Sequence, residues 1–376
     1  MTDTLANSLK VIAPHIEPQL ISTQTLSQVE EIASFLPSVP IVPVAGFECR
    51  LGTDDAIADF LLCIGDSDRE LLAGCSNKHR LSETVLSNKT WNTIRNFSNI
   101  WSNPASSLHD KITNVWLEFD VDEASSAIPE PSFFFGSPFI TGDREDDSYQ
   151  WAIDLALKSL LGDYLTPQVE QNLLKCFRLL PAGGKVFQIG VMLSRPQESS
   201  IVRLCVKDLP SGRIIDYLVS IGWSGSIPKL QAVIDTMSSF VGDIRLNFAV
   251  GETVFPKIGL ECYCQRKPAP EPKLERFLDY LVEQQLCTPA KRQGISTWSG
   301  LSNEISARQL WCSDLLKTSS FLGDRKLSTF ARSIHHIKIV YQPDKPLTAK
   351  AYLAFWHLWL DLPSPAKQPE TAAVLS

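Results

Sequence analysis

Short runs that alternate apolar and polar residues come in pairs along this chain, and helical spacing separates one pair from the next. The first pair is residues 44–51 with 58–64, joined by Gly52-Thr53-Asp54-Asp55, which suit a turn. The second is 114–121 with 132–135 across a Pro-containing loop, and the third is 186–193 with 201–207 around Pro196. Residues 244–250 with 257–264 make the fourth; 337–341 with 349–355, turned by QPDKP, make the fifth. Helices are predicted over 25–35, 82–98, 149–161, 166–178, 212–221, 227–241 and 272–285, with a longer helical stretch to residue 333.

The strands divide sharply into two faces. Val115, Leu117, Phe119 and Val121 oppose Trp116, Glu118 and Asp120, and Val202, Leu204 and Val206 oppose Arg203, Cys205 and Lys207. Ile244, Leu246, Phe248 and Val250 oppose Arg245 and Asn247; Ile258, Leu260 and Cys262 oppose Lys257, Gly259, Glu261 and Tyr263. Ile337 and Ile339 oppose His336 and Lys338, while Ala351, Leu353 and Phe355 oppose Lys350, Tyr352 and Trp356. On the first strand Glu48 and Arg50 lie opposite Phe47, Cys49 and Leu51.

Two α+β architectures fit this order. One is a ten-stranded antiparallel barrel built of five helix-plus-strand-pair repeats, with the helices outside. The other is two or three ferredoxin-like domains. No long Gly/Ser/Pro linker separates the pairs, which favours one barrel domain over residues 1–360 and a disordered tail over 361–376. An open sheet would leave the polar faces in water. A closed one would gather seven cations, Arg50, Arg203, Lys207, Arg245, Lys257, Lys338 and Lys350, around one chamber that then calls for an anion. Arg and Lys suit the oxygens of a phosphate or diphosphate.

Composition mainly excludes. Asp plus Glu number 42 against 35 Lys plus Arg, a formal charge of -7, so neither nucleic acid nor an anionic membrane is an expected partner. The most apolar stretch, 132–140, falls far short of the roughly 20 residues of a membrane span. The start MTDTLANSLK lacks a basic region and an apolar core, so a reducing cytoplasm is the expected location. The nine cysteines form no CxxC pair, and Cys262 and Cys264 lack companions for a zinc site, so buried thiols are expected and no metal. A hydrolase finds no GxSxG, and the adjacent His335 and His336 stand without a partner motif.

Helix-plus-strand-pair repeats with basic and tyrosyl residues on the polar faces resemble the aromatic prenyltransferases of the ABBA (PT-barrel) fold. The length is closer to the dimethylallyltryptophan synthase type. The resemblance spans residues 25–359 in architecture and is sparse in motifs. In that family an inward glutamate on the first strand acts as base or acceptor anchor, which GFECR matches at Glu48. Strands reading basic-x-basic-x-Tyr hold the diphosphate there; the nearest here are Arg203-x-Cys205-x-Lys207, Lys338 and Lys350-x-Tyr352.

The resemblance implies transfer of a prenyl group from an allylic diphosphate, such as dimethylallyl diphosphate, to an aromatic or nitrogen nucleophile. The acceptor would be a small molecule or a peptide. The seven cations would bind the diphosphate, and Tyr263, Tyr352, Trp116 and Trp356 would shield the allylic cation. Glu48 would serve as catalytic base. Glu118, Asp120 and Glu261 depart from the family pattern and would face the acceptor, with Glu261 standing where a second cation is expected. No cofactor is required on this reading, and Mg2+ would enter only with the diphosphate. The alternative is a non-catalytic barrel that holds a peptide or lipid-like ligand as a biosynthetic accessory.

Overall fold

The strand pairs close into a ring. The computed structural model describes residues 3–37, 43–76, 81–121, 128–143, 149–264 and 272–362. Its strands are β1 (Val44–Arg50), β2 (Ala58–Gly65), β3 (Asn114–Phe119), β4 (Ser132–Thr141), β5 (Lys185–Val191), β6 (Val202–Lys207), β7 (Asp243–Val250), β8 (Val254–Tyr263), β9 (Gly300–Asn303), β10 (Lys326–Tyr341) and β11 (Thr348–Asp361). Neighbours run antiparallel from β1 to β8, then β10 and β11, and β11 returns to β1. This is a ten-stranded closed barrel with β9 added to β10, so the ferredoxin-like alternative is overturned.

Meander connectivity gives the barrel two unlike ends. The turns within pairs all lie at one end, here called the hairpin end, because each joins antiparallel neighbours. The segments between pairs leave from the other end and carry the helices, which cover the apolar face of the sheet.

The core lies between strands and helices, as alternation dictates. Strand β3 alternates between half-buried and fully buried positions, and Phe119 meets Trp91 of helix Lys89–Ser102 at 6.3 Å between ring centroids. Phe97 of that helix packs on Phe133 and Phe135 of β4 at 4.9 and 5.7 Å. Asn88 starts the helix by accepting from the Thr90 and Trp91 amides. Phe47 meets Trp298 of helix Pro289–Trp298 at 6.1 Å, and Tyr217 of helix Ser211–Ser220 meets Phe248 at the same distance. Each such fully buried aromatic contributes roughly 1.5–3 kcal/mol.

Several expected boundaries move. The helical stretch expected to run to residue 333 ends at Leu322, followed by Gly323 at φ 69°. From Lys326 the chain is one strand of 16 residues, and Gly300–Asn303 is a short strand beside it. The sequence KLSTFARSIHHIKIVY alternates with β-branched and aromatic residues, a strand signal outweighed by the preceding helix. Strand β4 runs past residue 135 to Thr141, with a register irregularity between Gly136 and Ile140 that accommodates Pro138. Helix Leu5–Ile12 was not predicted. Strand β11 continues to Asp361, which pairs with Lys326 at 2.6 Å, so the first residue of the expected tail belongs to the barrel; residues 363–376 lie outside the described residues.

Candidate active site

The barrel encloses a cavity of about 530 Å³. Its wall takes the strand face turned away from the helices, which is polar on most strands but carries Leu61 on β2 and Phe134 on β4. Among the described residues, six cations line it: Arg195, Arg203, Arg245, Lys257, Lys338 and Lys350. Six acids face them: Glu48, Asp59, Glu118, Asp120, Glu198 and Glu261. The sequence reading expected a chamber rich in cations; the wall is balanced instead. Arg50 and Lys207 fall outside it, and Asp59, from a strand read as apolar, with Arg195 and Glu198, from the β5–β6 turn, joins the wall.

Most charges hold one another. Lys350 Nζ donates to Glu48 Oε1 and the Tyr352 hydroxyl to Oε2. Arg195 takes Asp120 with two nitrogens, and Arg203 Nη2 reaches Glu198 at 2.9 Å. Lys338 stands 3.8 Å from Glu261, which also accepts from the Tyr263 hydroxyl at 3.4 Å. Arg245 bonds Asp243 at 3.0 Å and lies 3.6 Å over the Tyr263 ring. Lys257 has no carboxylate within salt-bridge reach among the described residues. Burial, with Arg203, Lys350 and Lys338 nearby, pulls its pKa down. Arg203 Nε is buried with no hydrogen-bond partner among the described residues.

The acids divide by protonation. Burial would raise Glu48, but Lys350, Lys338 and the two hydrogen bonds outweigh it and hold the carboxyl at about 2. Burial and the Glu48 charge push Glu118 up to about 8, so it is a neutral acid at pH 7. Asp59 is raised to about 6, again by burial first and Glu48 second. Burial also raises Glu261, against the pull of Lys338 and Arg245. With Glu118 neutral, the wall carries six cations against five acids, and this small excess favours an anion.

An aromatic ladder crosses one side. Tyr352 stacks on His336 at 4.0 Å and 20°, and His336 on Tyr263 at 4.9 Å and 26°. A register shift between Ile334 and His336 on β10 brings both His335 and His336 to the cavity, their Nδ1 atoms 2.7 Å apart. Gly259 opens room for Lys338, since a Cβ there would stand 2.5 Å from Lys338 Cε.

Of the site residues expected from sequence, Glu48, Arg203, Arg245, Lys257, Lys338, Lys350, Tyr263, Tyr352, Trp116, Glu118, Asp120 and Glu261 line the cavity. Arg50, Lys207 and Trp356 do not. Each shares the lumen's alternation but sits past the end of the enclosed section. Arg50 turns to Asp55 at 3.6 Å in the β1–β2 turn, and the Lys207 ammonium lies 5.8 Å over the Phe187 ring. Trp356 faces Ala331, where β10 and β11 run beyond their neighbour β1.

Sequence reasoning missed Asp59, Arg195, Glu198 and His335 as wall residues, while alternation had put His336 on the inner face beside Lys338. Asp59 was findable: the Gly52–Asp55 turn sets the hairpin register, which puts Asp59 directly across from Glu48. His335 was not, because a bulge leaves no mark in alternation. Among the described residues, no three His, Cys, Asp or Glu side chains come close enough to share a metal ion. No helix among them is long and apolar enough to cross a membrane.

No family model matches the chain, and no curated protein matches it in sequence. Solved structures match it in shape. The apo form of prenyltransferase PriB aligns over 93% of this chain and 94% of its own, with TM-score 0.51 and 10% identity. A 6-dimethylallyl tryptophan synthase aligns over 94% and 97%, with TM-score 0.50 and 10% identity. The likeness covers almost the whole of each chain and establishes the fold: this is a PT-barrel.

Proposed function

We propose that this barrel transfers a prenyl group from an allylic diphosphate to an aromatic or nitrogen nucleophile held in its lumen. The observation that carries the reading is Lys257, a lumen cation that, among the described residues, has no carboxylate of its own, beside Arg203, whose buried Nε has no partner among them. The fold shared with two prenyltransferases supports the same reading.

On this reading Lys257, Arg203, Lys338 and Lys350 hold the diphosphate and stabilise the charge it gains on leaving. The Tyr352, His336 and Tyr263 ladder, whose inner faces are taken by one another and by Arg245, walls the lumen with Trp116 and keeps water from the allylic cation, to which the outer face of Tyr352 remains open. Arg245 stays with Asp243 and Tyr263 and stiffens the ladder. Glu118, Asp120 and Glu261 face the acceptor. Glu48, expected as base or anchor, keeps the second role: both its oxygens are engaged and its pKa of about 2 is poorly matched to proton transfer near neutrality. This reading requires no resident metal, and Mg2+ would travel with the diphosphate.

A second reading, a non-catalytic barrel holding a peptide or lipid-like ligand, draws on one observation. Lys350, Arg203, Lys338 and Arg195 already hold carboxylates and must release them to take a diphosphate. Incubation with dimethylallyl or geranyl diphosphate and a panel of tryptophan, tyrosine, indole and agmatine separates the two. Prenylated product by mass spectrometry supports transfer; diphosphate binding without product supports the second reading.

A further inference from the structure

Four of the six lumen acids are already committed. Glu48 holds Lys350 and Tyr352, Asp120 holds Arg195, Glu198 holds Arg203, and Glu261 holds Lys338 and Tyr263. Glu118 and Asp59 remain. Glu118 keeps its proton to about pH 8 and so cannot take another at neutral pH. Asp59 is different. Its Oδ1 accepts from the Val121 amide at 3.1 Å, while Oδ2 carries no hydrogen bond among the described residues and Asp59 lines the cavity.

We propose that Asp59, not Glu48, receives the proton that the acceptor loses when its new bond to the prenyl carbon forms. This rests on the transfer reading above. The allylic C–O bond breaks with its electron pair to the diphosphate. An electron pair of the acceptor forms the new bond to the allylic carbon. The acceptor's C–H or N–H pair stays with the acceptor, and its proton goes to Asp59 Oδ2, which later returns it to water.

Position supports the assignment. Asp59 on β2 is the cross-strand partner of Glu48 on β1, so the acceptor anchor and the proton acceptor share one patch of wall. The charges that face Asp59 are Glu48 from β1, Glu118 and Asp120 from the β3 side, Arg195 from the β5–β6 turn, and Lys350 from β11. Lys350 is held by Glu48 and Arg195 by Asp120, so neither is bonded to Asp59. Burial and the fixed Glu48 charge lift Asp59 to about 6, close to the value that best serves a general base at neutral pH. Glu48 thereby acts on the reaction through Asp59, as a positioning and tuning residue.

The test is the pH dependence of kcat/KM for prenyl transfer from dimethylallyl diphosphate to the panel acceptor that gives product, in wild type, Asp59→Asn, Asp59→Glu and Glu48→Gln. Wild type should lose activity below about pH 6. Asp59→Asn should lose at least about 100-fold in kcat and the acid limb with it, while its affinity for dimethylallyl diphosphate stays within about threefold. Asp59→Glu should recover part of the rate. Glu48→Gln should move the acid limb to lower pH, because the charge that lifts Asp59 is gone; this readout decides the matter if Asp59→Asn does not fold. Asp59→Asn with the wild-type rate or limb, or Glu48→Gln with an unmoved limb, overturns the inference alone. Diphosphate binding without transfer to any acceptor by wild type overturns the transfer reading, and the inference with it.

Discussion

The Lys350 ammonium donates to the Glu48 carboxylate across the seam where the last strand meets the first. The pair is mostly buried, and Tyr352, directly across from Glu48, takes the second oxygen. Removing the lysine alone strands a buried carboxylate, which costs about 3–5 kcal/mol. Lys350→Met should therefore destabilise the fold by that order in urea denaturation, while the double variant Lys350→Met, Glu48→Gln recovers most of the loss.

The same carboxylate sets an acid dependence. Its pKa is lowered from 4.5 to about 2, so its contribution is complete above the ordinary value and disappears as pH falls toward 2. Glu48→Gln should flatten the decline of Tm between pH 5 and pH 2 relative to wild type.

Glu118 works in the opposite sense. Raised from 4.5 to about 8, it favours the folded state most below its ordinary value, and that advantage is lost as pH rises toward 8. Glutamine mimics its neutral form. Glu118→Gln should raise stability at pH 8 by roughly 3–5 kcal/mol and leave it unchanged near pH 4, read as Tm at the two pH values.

The barrel was legible because most strand pairs carry turn chemistry between them and at least one strand of each pair alternates with a two-residue period. Arg203, Lys338 and Glu118 could be placed on the inner face from that alternation alone. Alternation gives the face of a residue but not its height, which is why Arg50, Lys207 and Trp356 were expected in the lumen and sit beyond its ends. It also failed where the period breaks: the β10 bulge that turns in His335 beside His336 has no sequence mark. Charge balance was illegible for a third reason. Arg195 and Glu198 reach the wall from a turn, and turns have no inner face until the barrel is closed.

Lys257 and Arg50 test the corrected site directly. Lys257→Ala should weaken dimethylallyl diphosphate binding by about tenfold or more, as loss of a partly buried charge contact does. Arg50→Ala should leave that affinity unchanged, since its side chain faces Asp55 outside the lumen. Fluorescence titration of the lumen tryptophan Trp116 provides the readout.

Gly190 bears on chain length. A Cβ there would lie 2.1 Å from the Phe134 ring, a wall residue, so Gly190→Ala must displace that ring. With helices packed outside, the ring has the cavity to move into. The variant should lose about 1–3 kcal/mol of stability and bind geranyl diphosphate less well relative to dimethylallyl diphosphate, seen by comparing the two affinities with wild type.

Isothermal titration of the wild-type chain with dimethylallyl and geranyl diphosphates, with and without Mg2+, addresses the central claim most directly. The lumen cations predict saturable binding of at least one diphosphate that weakens as salt rises. Absence of binding by both, in either condition, would contradict the claim that this barrel takes an allylic diphosphate.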